Sequence, residues 1–290
     1  GLLSNLNYSI PIDYSRGNDV RAISKYSDKN WLWKTPSNFM VRIQNPDPRY
    51  NNGWYQSHPI DIDKFKGELQ LEYTVTGKNG GFLKNYASIN ANLLVKEGNQ
   101  ISTMSQMKNI VSVATLPDTF EKEIAIYDLN EFLSAMSLFN DPELTFGDKS
   151  VRIAQGSQDL TYFYSDPSVV TTPKTEINMP SVDAEFTLTK DTFNQVLKAA
   201  AVLGAPDMVL DIGTDSIMDL RVSDRKNDTS NNFSVEVGAE SPAKGKKFYF
   251  KVENLKLLSG DYNVQVSEKG ISRFKNVNKD IEYFIALETA

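Results

Sequence analysis

The runs EIAIYDLNEFLSAMSLF (123–139), PELTFGDKSVRIA (142–154) and DLTYFYS (159–165) return later in the chain, in the same order. Their counterparts are KFYFKVENLKLLSG (247–260), YNVQVSEKGISRF (262–274) and DIEYFIALE (280–288). Each copy reads as a short strand, a helix with an asparagine in its first turn, a two-stranded turn and an aromatic strand. The turns centre on Asp148-Lys149 and Glu268-Lys269. The pentapeptides at Asp159 and Asp280 lie 121 residues apart (280 − 159), and the turn lysines lie 120 apart (269 − 149). So constant a lag indicates two homologous domains of about a hundred residues. TTPKTEINMPSV (171–182) is the connector between them.

Capping signals support the helices. Asp128 stands as N-cap with Glu131 three residues on, and Leu129, Phe132, Leu133 and Met136 then share one face. In TKDTFNQVLKAAAVLGAP, Thr189 reads as the N-cap and Gly204 as the stop, with Pro206 just beyond. Phe193, Val196, Leu197, Ala200 and Leu203 form its apolar side, opposite Asn194 and Lys198. Residues 207–222 and 231–238 add strands. Many strands with few amphipathic helices, duplicated, form an α+β pattern with helices covering one face of antiparallel sheets.

The character changes near residue 80. All three tryptophans (Trp31, Trp33, Trp54) and the single histidine, His58, lie in the first 58 residues, which are rich in Asn, Pro and Tyr. Strands are expected near 38–45 and 66–77, and Gly80-Gly81 ends the pattern. Residues 1–81 therefore read as a small β-rich N-terminal extension.

Composition narrows the chemistry. The 290 residues include no cysteine, which removes disulfides, thiolate catalysis and Cys-bound zinc. One histidine removes His-containing triads from most of the chain. No window reaches eighteen apolar residues, and the first residues lack a basic start followed by an apolar run. A net charge of −6 argues against coating nucleic acid over the whole surface, though not against a few lysines gathered on one face. Asp211, Asp215 and Asp219 recur every fourth residue and could suggest a metal site, but Gly213 and strand-like neighbours favour solvated positions. The tryptophans with Tyr50 and Tyr55 could stack on sugars or bases, or simply pack a small domain. His58 precedes a proline with no companion ligand, so it reads as structural or exposed. Carboxylate-only chemistry, as in a carboxylate-based hydrolase, stays open in principle but has no convincing motif, and no metal and no cofactor is expected; composition alone reads as not obviously enzymatic.

FLKNYASINANLLVKEGN (82–99), AIYDLNEFLSAMSLFNDPEL (125–144), YFYSDPSVVTTP (162–173) and YFIALE (283–288) resemble the DNA sliding clamp (processivity factor) of T-even-type bacteriophages, cyanophage-like in flavour. The likeness is collinear over about 82–290. It implies two clamp domains, 82–175 and 176–290, with sheets outside and helices on an inner face. It implies a homotrimeric ring around duplex DNA, loaded by an ATP-driven clamp loader, that tethers the replicative DNA polymerase during DNA replication. The setting would be the cytoplasm of an infected bacterial host cell. The first helix departs from the family pattern, since only its last turn, from Phe82, is recognisable.

The fold of the family directs attention to helices near 82–86, 128–139, 190–203 and 251–258. Their lysines, Lys84, Lys190, Lys198, Lys251 and Lys256, are the candidate DNA-facing residues, each of which could instead be a solvated helix lysine. The helix at 128–139 carries Glu131 and no lysine. The resemblance places a partner-peptide pocket at Val202, Leu203, Pro206, Tyr283 and Phe284, with ordinary core packing as the alternative. The competing function is a structural or surface-binding β-rich protein that uses the aromatic N-terminal segment for recognition.

Overall fold

The computed structural model describes residues 79–139 and 142–289, preceded by four two-residue strands. These are β1 (Ile12–Asp13) paired with β2 (Asn30–Trp31), and β3 (Trp33–Lys34) paired with β4 (Met40–Val41). β4 falls inside the strand expected at 38–45. The expected strand at 66–77, His58, Tyr50, Trp54 and Tyr55 lie outside the described residues. The chain falls into two compact units, residues 1–80 with 134–162, and residues 81–133 with 163–290.

From residue 79 one order of elements occurs twice. The first pass is α1 (Asn79–Ile89), β5 (Leu93–Val95), β6 (Gly98–Met104), β7 (Ile110–Phe120), β8 (Ile124–Ile126), α2 (Leu129–Met136), β9 (Glu143–Phe146), β10 (Ser150–Gln155) and β11 (Gln158–Phe163). After a single 3-10 turn at Pro167–Val169 comes β12 (Ala184–Leu188). The second pass is α3 (Lys190–Leu203), β13 (Asp207–Ile212), β14 (Met218–Ser223), β15 (Phe233–Gly238) and β16 (Lys247–Lys251). It then runs through a 3-10 turn, Val252–Asn254, to β17 (Tyr262–Ser267), β18 (Ile271–Asn276) and β19 (Ile281–Ala286).

Two expectations are corrected. The helix foreseen at 251–258 is only the 3-10 turn Val252–Asn254. Two hydroxyls from the strands that follow compete for the backbone: Leu258 gives its N–H to the Tyr283 hydroxyl (3.0 Å) and its C=O accepts from the Tyr262 hydroxyl. Backbone groups that a helix would use are thus satisfied by side chains. Conversely, α1 is not a remnant turn from Phe82 but eleven residues long, against fourteen in α3. Phe82, Tyr86 and Ile89 are buried at helical spacing. Their burial outweighs the ~1 kcal/mol per residue that glycine costs a helix.

The second unit contains two antiparallel sheets. An eight-stranded sheet runs β12-β17-β18-β19-β7-β6-β5-β8, and a four-stranded sheet runs β15-β14-β13-β16. The larger sheet takes four strands from each side of residue 176, joined where β19 pairs with β7 from Ile281↔Ala114 to Ile285↔Ile110. Alternation decides which faces are covered: in β12, Ala184, Phe186 and Leu188 are buried while Glu185 and Thr187 are exposed. In β14, Met218, Leu220 and Val222 turn inward, and α3 packs on β14 and β15. Rings fill the core edge-to-face: Phe250 on Phe274 (6.0 Å), Phe274 on Tyr262 (6.4 Å) and Tyr262 on Tyr283 (6.1 Å). In the first unit, β9 and β10 form a hairpin from Val151↔Phe146 to Ala154↔Glu143, closed by the Gly147 N–H on the Ser150 carbonyl, and β11 flanks β10.

Candidate nucleic-acid interface

α3 shows how the sequence presents a polar stripe. Thr189 caps it, accepting from the Thr192 N–H (3.2 Å), and the Asp261 carboxylate takes the Lys190 N–H (2.6 Å). Gly204 ends it in the left-handed region at φ 63°, as its sequence position predicted. With Phe193, Val196 and Ala200 buried, the opposite stripe carries Lys190, Asn194, Lys198 and Ala201, all exposed. On α1, Phe82, Tyr86 and Ile89 face the core, and Lys84 and Ser88 are exposed one turn apart. α2 carries the expected cap, with the Glu131 N–H on the Asp128 carboxylate (2.9 Å). Its exposed residues include Glu131 and no lysine.

The five candidate lysines divide into two groups. Lys84, Lys190 and Lys198 are exposed on true helices. Lys251 ends strand β16 and pairs with Glu288 (3.8 Å). Lys256 follows the 3-10 turn, and its Nζ donates to the Ser88 carbonyl (2.7 Å) in the last turn of α1. A cation there satisfies a helix-end carbonyl and complements the negative end of the helix dipole. Neither Lys251 nor Lys256 lies on a helix.

The partner-peptide candidates divide likewise. Val202 is 76% exposed and Leu203 36% exposed at the end of α3, and Pro206 follows in an exposed turn whose carbonyl accepts from the Val252 N–H (2.9 Å). Tyr283 and Phe284 are core residues in β19, 0% and 5% exposed. They are therefore corrected from pocket lining to packing. Burial pushes the Tyr283 and Tyr86 phenols far above their ordinary range, and pushes Tyr262 up to about 12.

Sequence reading missed the residue that ties these elements together. Asn85, half-buried on α1, accepts from the Tyr283 hydroxyl (2.6 Å) and donates to the Lys256 carbonyl (2.8 Å). With the Lys256 ammonium on Ser88, it braces α1 against the segment before β17 and against β19. The only signal in the sequence was an amide beside the buried Tyr86. Asp211 and Asp219 are cross-strand neighbours on β13 and β14, but Asp211 pairs with Lys247 (3.4 Å) and Arg221 (3.8 Å), and Asp215 caps its own turn at the Ile217 N–H (3.2 Å) instead of joining them. No metal-binding group of three ligands exists among the described residues.

Residues 81–171 match the family described as DNA polymerase processivity factor, and residues 185–289 match that described as gp45 sliding clamp, C terminal. The sliding clamp of Vibrio phage KVP40 is 35% identical over 212 residues, covering 71% of this chain and 95% of that protein. This chain belongs to the phage sliding-clamp family. The sliding clamp of Enterobacteria phage T4 is 26% identical over 214 residues, covering 71% of this chain and 92% of that protein. The clamp fold extends to more distant structures. Archaeal PCNA from A. fulgidus, solved with the C-terminal region of FEN-1, superposes with a TM-score of 0.56 at 13% identity, over 73% of this chain and 95% of that one. The DNA polymerase III beta chain of Streptococcus pneumoniae gives 0.54 at 12% identity, over 73% of this clamp and 63% of that chain. The two family models together span residues 81–171 and 185–289. The clamp's fold class is α+β, with antiparallel sheets and few helices.

Proposed function

We propose that this clamp is a ring subunit that encircles duplex DNA and tethers a replicative polymerase for processive synthesis, with no catalytic chemistry of its own. The observation that carries the reading is the doubled order of elements over residues 79–286 within a sliding-clamp family member. The repeats, 82–175 and 176–290, are its two clamp domains. Ring closure calls for a contact that one chain offers to a different surface of the next, because only such heterologous contacts generate rings. Two sheet edges suit it: among the described residues β15 is paired only through β14, and β11 only through β10. A homotrimer closed by these edges is the assembly proposed, loaded by an ATP-driven loader in the cytoplasm of an infected bacterial host.

A sliding clamp needs enclosure rather than grip. A few phosphate contacts hold DNA loosely, without reading bases, and their number sets the salt dependence. Lys84, Lys190 and Lys198 are the proposed phosphate-facing set, because their ammonium groups stand exposed on helices while Lys251 and Lys256 are engaged within the chain. Val202, Leu203 and Pro206 are the proposed apolar step for a partner peptide. The deciding experiment loads the clamp on circular DNA and then linearises it. Retention before cutting and release after it is expected, together with a trimeric mass by light scattering. A strict monomer at tens of micromolar, or equal retention on linear DNA, would overturn the ring. Replacing Lys84 and Lys198 with Glu should depress loading, whereas Lys251→Gln should not.

A further inference from the structure

The chain beyond β19 does not trail into solvent. The Leu287 N–H still bonds the β17–β18 turn of the larger sheet, at the Gly270 carbonyl (2.9 Å), and the next residue reaches the four-stranded sheet, where the Glu288 N–H bonds the Tyr249 carbonyl (2.8 Å). Glu288 and Tyr249 form an isolated antiparallel bridge on the edge of β16. Side chains hold the same segment, with Lys251 against the Glu288 carboxylate (3.8 Å) and Arg225 Nη1 on the Thr289 carbonyl (2.6 Å). Arg225 also lies over the Tyr249 ring, 5.1 Å from its centre. Its backbone N–H is fixed by the Asp207 carboxylate (3.2 Å).

β16 is an edge strand. Val209↔Tyr249 and Asp211↔Lys247 pair it with β13, and among the described residues its other side is bridged at Tyr249 alone, by the strap. By the alternation of a strand, Lys247 and Lys251 point their outer backbone groups the same way as Tyr249. The edge thus offers a backbone ladder flanked by Lys247, Lys251 and Arg225, with a tyrosine ring between them, and the strap fills little of it. An edge left this open is ordinarily protected. Here the protection is a three-residue strap whose one carboxylate matches the cations beneath it.

We propose that the β16 edge is a docking site for an extended acidic segment of a partner protein, and that Leu287–Thr289 is a weak self-ligand holding the site until that segment displaces it. Recognition is strand addition, in which backbone bonds supply adhesion and side-chain pockets supply choice. A carboxylate at the place of Glu288 meets Lys251. The strap itself decides for an acidic residue at that place, because Glu288 is what Lys251 holds there, whereas Lys247 and Arg225 are already paired with Asp211 (3.4 Å) and Asp207 (3.8 Å). The site needs neither ring nor DNA, so its failure would leave the clamp reading untouched.

The test uses the full chain and a fluorescein-labelled synthetic peptide repeating residues 283–290, followed by fluorescence polarisation. A tethered strap competes at an effective concentration of order millimolar. Glu288→Lys loosens it, so the variant should bind the probe about tenfold or more tighter than the unmodified chain. Adding Lys251→Glu restores an ion pair of reversed sign and repels the probe's own glutamate, so binding should fall back. The proposal is overturned if Glu288→Lys binds no better than the unmodified chain, or if the double variant binds as tightly as Glu288→Lys. A changed oligomeric mass of Glu288→Lys would give the edge to another copy's strap and likewise overturn it. Amide exchange on the unmodified protein is the check that needs no variant: the Glu288 amide should exchange at least tenfold faster than that of Ile285. Equal protection would mean that the strap does not open on its own.

Discussion

Replacing Tyr283 with Phe tests the brace between α1 and β19. The ring of Tyr283 is 0% exposed and stays packed on Tyr262, so the substitution removes one oxygen and almost no apolar surface. Two bonds disappear, the one donated to Asn85 (2.6 Å) and the one accepted from Leu258 (3.0 Å). Buried partners left unsatisfied cost ~1–3 kcal/mol each. Asn85 is half-buried and recovers part of its loss from water, so about 2–3 kcal/mol in total is expected. For a body of this size that lowers the melting midpoint by roughly 2–4 °C per kcal/mol, or about 4–12 °C. Urea denaturation of Tyr283→Phe, Asn85→Ala and the double variant gives the energy they share. A coupling of roughly 1 kcal/mol is expected for groups in direct contact. Coupling below about 0.3 kcal/mol, at the level of independent sites, would refute the brace.

Gly204→Ala should cost about 1–2 kcal/mol by denaturation, since φ is 63° and nothing lies within 4 Å of the added carbon, so the cost is conformational alone. The Asp183 carboxylate is held below its ordinary 3.8 chiefly by the Glu268 N–H and then by Ser181, so its stabilisation is complete above that value and fades as pH falls through the lowered one. Accordingly Asp183→Asn should destabilise at pH 7 and lose its effect toward pH 2 in thermal melts. At the alkaline end, burial raises Tyr86, Tyr262 and Tyr283, so their contribution is intact below pH 10 and declines above it. Ultraviolet titration at pH 11 should find fewer ionised phenols in the native clamp than in urea, and equal numbers would refute their burial.

What the sequence made legible was whatever depends on local chemistry or on repetition. Thr189 and Gly204 bound α3 where capping preferences put them, and the 120-residue lag foretold the doubled order of elements. Illegible were outcomes settled by long-range contacts. VENLKLLSG has helical spacing like its counterpart DLNEFLSAM, yet the hydroxyls of Tyr262 and Tyr283 take the Leu258 backbone and leave one 3-10 turn. Lys256 looked like a helix lysine only because that helix was assumed. Tyr283 and Phe284 looked like pocket lining by position in the family pattern, but β19 is interior to the eight-stranded sheet, between β18 and β7. Both faces are covered at these positions, so Tyr283 and Phe284, which point to opposite sides of the sheet, are buried alike.

The same brace bears on how an acidic chain can serve as a clamp. If enclosure rather than affinity retains DNA, the essential mechanical property is that the subunit not yield between its repeats. β19 pairs with β7 from Ile281 to Ile285, which alone is a five-rung seam able to twist as sheets do. Asn85 and Lys256 act off the plane of that seam, fixing α1 to the segment before β17 through bonds to Tyr283, to the Lys256 carbonyl and to Ser88. A sheet seam and an off-plane tie together resist both shear and hinge, which neither does alone. The cost is one lysine withdrawn from the candidate lining. Chains held by topology tolerate that loss, whereas a protein held by phosphate contacts would lose affinity and salt dependence with each one. On this reasoning Lys256→Met should soften the seam, seen as faster amide exchange at 85–89, while leaving the salt dependence of DNA retention unchanged. A reduced salt slope would instead return Lys256 to the phosphate-facing set.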